Sequence, residues 1–93
     1  MNLTYEDCLA LCDLSEDEIR AIAEHENLTE IAALELGQYL LMMPDGERRI
    51  RHMILDDIEE AKRQHHDAHV LRLKAVLKHF IDTHPRNPAN AGR

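Results

Sequence analysis

Apolar residues recur at intervals of three and four along most of this chain, the spacing that places them on one face of a helix. The clearest stripe is Ile50, Met53, Ile54, Ile58 and Ala61. A second runs through Val70, Leu73, Leu77, Phe80 and Ile81. The two are out of phase with one continuous helix, so the pattern predicts a break or kink near His65–Asp67, with Asp67 as a new cap. Before them, Ile19, Ile22 and Ala23 form a short stripe behind Ser15-Glu16-Asp17-Glu18, whose Ser-x-x-Glu spacing is that of a capping box. Thr4 with Asp7 has the same spacing in front of Cys8, Leu9, Leu11 and Cys12. The longest apolar run is 28–43, LTEIAALELGQYLLMM. Asn27-x-x-Glu30 offers it a cap, and Pro44 ends it, because the residue before a proline is pushed out of the helical region. Asp45-Gly46 then makes a turn, with Asp45 able to cap the helix that follows.

These elements predict an all-α fold, a compact bundle of four to five helices around a central apolar helix at about residues 28–43. A single helical domain is expected over 1–84, with a disordered tail over 85–93. Projected at about 100° per residue, the central run has Ala32, Leu36, Tyr39, Leu40 and Met43 on one side. Leu34, Gly37 and Leu41 widen the arc. Only a narrow strip around Glu35 and Gln38 is polar, and it includes Ile31 and Met42. A helix of a small monomer normally keeps a broader wet face. Leu36, Tyr39, Leu40 and Met43 are therefore the expected interaction surface, with Gly37 and the alanines allowing close helix approach.

Composition supports the helical reading. Among 93 residues there are three glycines, three prolines and no tryptophan, and Val70 and Val76 are the only valines, too little for a sheet. Hydrophobic residues make up 44%, and a chain of this length can bury a core without disulfides or metal. The net charge of −7 disfavours nucleic acid, which needs a basic footprint, and anionic membrane surfaces. The apolar run is short of the about 20 residues that span a bilayer, and the acidic N-terminus does not read as a signal peptide. With only two cysteines, the expected compartment is the cytoplasm.

Several residues could carry chemistry. Cys8 and Cys12 share a helix face, as do His65 and His69. Together they make a Cys2His2 zinc set by residue type, although distant helices would have to bring the pairs together. The competing readings are two small core cysteines and two solvated histidines. The metallopeptidase pattern H-E-x-x-H is absent, because the segment reads His65-His66-Asp67-Ala68-His69. No glutamate has a histidine three residues later, which removes the di-iron pattern. His52 and Asp56 are spaced to hydrogen-bond each other. Ser15, the only serine, is accounted for as a cap. A helix-turn-helix over Thr29–Tyr39 fails, since the recognition helix would consist of Leu40, Leu41, Met42 and Met43, which cannot read base edges. Arg48, Arg49 and Arg51 crowd a helix start where the dipole disfavours cations. Glu16, Asp17, Glu18 and Glu30 are candidates to neutralise them.

The leading expectation is a small non-catalytic protein-interaction module that self-associates or meets a protein partner, with no cofactor, nucleic acid or membrane. One alternative is a helical regulatory protein binding zinc or iron. Another is a small enzyme in which His25 or His52 meets carboxylates of another helix at a cleft.

Overall fold

Five helices form among residues 4–84, which are the residues that the computed structural model describes: α1 (Tyr5–Ala10), α2 (Glu16–Glu26), α3 (Glu30–Leu41), α4 (Gly46–Arg63) and α5 (Asp67–Thr83). The all-α bundle is thus as the periodicity predicts, and α4 and α5 are separate helices. The expected tail over 85–93 lies outside the described residues.

The helix starts follow local chemistry. Thr4 with Asp7, and Ser15 with Glu18, form complete capping boxes. α3 is capped differently from the expectation. Thr29 accepts from the Ala32 N–H, whereas Asn27 closes the preceding helix in the left-handed conformation, φ 58°. Asparagine tolerates that region better than most residues, so the end of α2 takes it. The Leu28 N–H then reaches back to the Ala23 carbonyl. α4 ends the same way. His65 sits at φ 59°, its N–H on the Lys62 carbonyl and that of His66 on the Ala61 carbonyl. This is a Schellman closure with histidine in the place glycine usually fills. It is the physical cause of the phase break between the two stripes. Asp45 and Asp67 do not cap; His66 occupies the cap position of α5, and neither Asp45 nor His66 makes a side-chain cap bond.

The core joins Ile19 and Ile22 of α2, Leu40 of α3, Ile50 and Ile54 of α4 and Phe80 of α5, all essentially inaccessible. α2 and α4 are the inner helices: each packs on the other, on α3 and on α5. α3 packs mainly on α2 and α4, so the others do not surround it as the length of its apolar run suggests.

Two glycines permit close approach. A Cβ on Gly37 would lie 2.4 Å from Leu14 Cδ1 and 3.1 Å from Ile22 Cδ1, so its absence seats Leu14 and α2 against α3. The close approach foreseen for Gly37 is therefore made within the chain. At Gly46 a Cβ would lie 1.5 Å from the Leu40 carbonyl oxygen. The turn between α3 and α4 brings backbone against backbone, and no side chain can move to relieve it.

Two substitutions test these local arguments in urea unfolding. Gly46→Ala is expected to cost at least about 2 kcal/mol, since overpacking against backbone forces the turn to shift; an unchanged midpoint would contradict the contact. His65→Gly is expected to stabilise by about 0.5–1 kcal/mol, because glycine escapes the left-handed penalty but loses more chain entropy.

Candidate functional site

The apolar stripe of α2 is short, and polar groups complete its attachment. Leu14, Glu18 and Ile22 are spaced four apart, so the capping box directs Glu18 inward. Glu18 is fully buried. Its Oε1 accepts from the Ser15 N–H at 2.8 Å, and its Oε2 meets His79 Nδ1 of α5 at 2.7 Å. A buried carboxylate needs such partners. Further along α2, Glu24 Oε1 meets His69 Nε2 of α5 at 2.9 Å. His25 then contacts two carboxylates, Glu26 through Nδ1 at 2.7 Å and Asp56 of α4 through Nε2 at 2.8 Å. Three histidine–carboxylate bonds therefore bind α2 to its neighbours, two to α5 and one to α4.

Asp57 lies among these groups. It is 4% exposed, and its Oδ2 is buried without a hydrogen-bond partner among the described residues. Burial pushes its carboxyl up to about 7, and the charges of Glu24 and Asp56 add to that, opposed by His25 and His69. For His25, burial alone disfavours the charge. The hydrogen bonds to Asp56 and Glu26 and the nearby carboxylates outweigh it, and its pKa is raised.

Two clefts flank this region. One, of about 290 Å³, is lined by His25, Glu26, Arg49, His52, Met53 and Asp56. The other, of about 320 Å³, runs between α2 and α5, with Arg20, Glu24, His69 and Arg72 over Ala21, Leu73 and Val76. The interhelical meeting of a histidine with a carboxylate expected for an enzyme thus occurs at His25. His52 does not bond Asp56 as its spacing suggests, because Asp56 turns to the ring across the helix interface.

The proposed zinc set does not assemble. Among the described residues, no group of three or more His, Cys, Asp and Glu side chains could hold a metal ion. Cys8 and Cys12 are half-buried against the core. The Cys12 thiol donates to Gln38 Oε1 of α3 at 3.2 Å and accepts from the Leu14 N–H at 3.4 Å. Burial raises its pKa, which the backbone hydrogen bond from Leu14 only partly offsets, so it favours the thiol over the thiolate that metals bind. His65 is exposed in the left-handed junction, and His69 is engaged by Glu24. Nor, among the described residues, do the acidic helix starts pair with Arg48 or Arg49. Arg20 takes Glu16, Asp17 and Glu30, at 3.2, 3.6 and 3.3 Å, while Glu18 faces inward.

The expected interaction surface is divided. Leu40 is 2% exposed and belongs to the core, and Leu36 is half-buried against it. Tyr39 and Met43 reach the surface. Of the strip read as polar, Ile31, Glu35 and Met42 are exposed, while Gln38 is half-buried against Cys12. Tyr39, read on the other side, is also exposed, at 58%, as are Leu28 before the cap Thr29 and Met42 at the C-cap, the latter at 83%. Among the described residues, no helix is long and apolar enough to cross a membrane. No family model, characterised protein or solved structure matches the chain.

The burial of Glu18 and Asp57 and the contact of Glu18 with His79 are not foreseen from the sequence. A signal for both was present. Asp57 stands seven residues after Ile50, four after Met53 and four before Ala61, on the core stripe itself. Glu18 stands midway between Leu14 and Ile22.

Proposed function

We propose that this protein is a small non-catalytic interaction module that self-associates through the outer face of α3. The supporting observation is the exposed row Leu28, Ile31, Tyr39 and Met42. Single exposed apolar residues are normal on any protein. Here Ile31 and Tyr39 stand on the outward side of α3, either side of Glu35, with Leu28 just before its cap and Met42 at its C-terminal cap, so apolar groups are exposed along its whole length. Its C-terminal half combines a tyrosine and a methionine, residue types enriched at protein interfaces. A second copy is the favoured occupant. The half of α3 after Glu35 carries no charge, so two α3 helices can cross near Tyr39 and Met42 about a two-fold axis with their carboxylates at the rim.

The non-catalytic part of the reading rests on how the reactive groups are engaged. Ser15 caps a helix, the Cys12 thiol is hydrogen-bonded, and His25 has a carboxylate on each ring nitrogen. Each of these three is engaged within the fold.

Size-exclusion chromatography with light scattering, at about 100 µM, tests the association. The expected result is a dimer for the native chain and a monomer of unchanged helicity for the double variant Tyr39→Lys with Met42→Glu. Both positions are exposed, and surface substitutions of this kind usually change stability by less than about 0.5 kcal/mol. A native chain that stays monomeric would overturn the reading, as would a double variant that remains dimeric.

A further inference from the structure

The last turns of α2 meet α4 and α5 through groups that exchange protons near neutrality. His25 bonds Glu26 and Asp56 at once. A carboxylate only accepts, so both ring nitrogens must donate, and the geometry is that of an imidazolium. A neutral ring would turn a lone pair toward one of the two carboxylates. Next to Asp56 on α4, Asp57 is buried with an unpartnered oxygen. It faces Glu24 and His25 from α2 and His69 from α5. Its ionisation would place another negative charge, without a hydrogen-bond partner, in a buried position among carboxylates.

We propose that this end of the bundle is a proton-operated clasp: with His25 charged and Asp57 protonated it holds α2 against α4 and α5, and loss of those two protons loosens it.

The two groups act in the same direction. The Asp57 carboxyl is raised in the folded chain to about 7, against about 3.9 when unfolded. Between those values the folded chain holds the extra proton, so stability falls as pH rises across that window. The His25 pKa is raised as well. Its contribution is complete below about 6.5, the unfolded value, and is lost as pH rises through the folded value. Arginines stand by both clefts: Arg49 lines the His25 cleft, and Arg20 and Arg72 line the Glu24–His69 cleft. His52 also lines the His25 cleft, and it gains no proton-dependent bond to Asp56. On α3, Glu30 is engaged by Arg20. Once His25 and Asp57 have lost their protons, Glu24, Glu26, Asp56 and Asp57 therefore repel one another without the His25 charge.

Urea unfolding of the full chain at pH 5.5 and pH 8 tests the clasp. The expected unfolding constant is at least about tenfold larger at pH 8. Asp57→Asn keeps the shape and cannot ionise, so it is expected to remove most of that difference. An NMR titration of the His25 ring in the native chain supplies a second reading that needs no variant, with a midpoint expected above the ordinary histidine value. Stability that is equal at the two pH values would overturn the proposal. So would full pH dependence in Asp57→Asn, or a His25 midpoint at or below about 6.5.

Discussion

An eleven-residue helix buries too little apolar surface to anchor three neighbours through its apolar side chains alone, and α2 is such a helix. Isolated helices of that length are marginal in water, and tertiary packing must hold them. α2 contributes Ile19, Ala21 and Ile22 to the core. Histidine–carboxylate bonds supply the rest: Glu18 to His79, Glu24 to His69, and His25 to Asp56. They join segments distant in sequence, so they fix where α4 and α5 lie relative to α2. Histidine is the side chain whose charge changes most readily around neutral pH. Among these contacts, those of His25 form with a charged ring.

Buried Asp57 adds a second proton-dependent group. A carboxyl group in an apolar interior is normally paired, and here one oxygen has no partner. Sequences that merely need a filled core place an aliphatic residue at such a position. The aspartate brings a destabilising charge above neutrality and a neutral carboxyl group below it. Gly46 and Gly37 show the opposite economy, with side chains removed so that α3 can lie against its neighbours. The same packing turns the Leu28–Met42 face of α3 outward, away from the clasp of α2, α4 and α5.

Much of the fold was legible because periodicity and capping chemistry are local. The capping boxes at Thr4 and Ser15, the stop at Pro44 and the break at 65–67 all follow from short-range sterics and hydrogen bonds. Which helix lies inside was not legible, because an apolar run reports what a helix can bury and not what its neighbours cover. For that reason 28–43 looked central, and Leu40 looked like a surface residue when it is core. The site was legible only in part. His25 was named as a histidine that could meet carboxylates of another helix, but its partner, Asp56, lies 31 residues away. Asp57 stood on the Ile50–Ala61 stripe, yet a lone charged residue there reads as solvated until the packing shows that it is buried. Cys8, Cys12, His65 and His69 had the donor types of a zinc site without the topology to join them.

The proton-operated clasp requires Asp57 to stay protonated at the junction of three helices up to neutral pH. The most direct measurement is the chemical shift of its side-chain carboxyl carbon, followed by NMR across the pH range in the native chain. The account predicts a midpoint of about 7. A midpoint near the ordinary aspartate value of about 4 would contradict it.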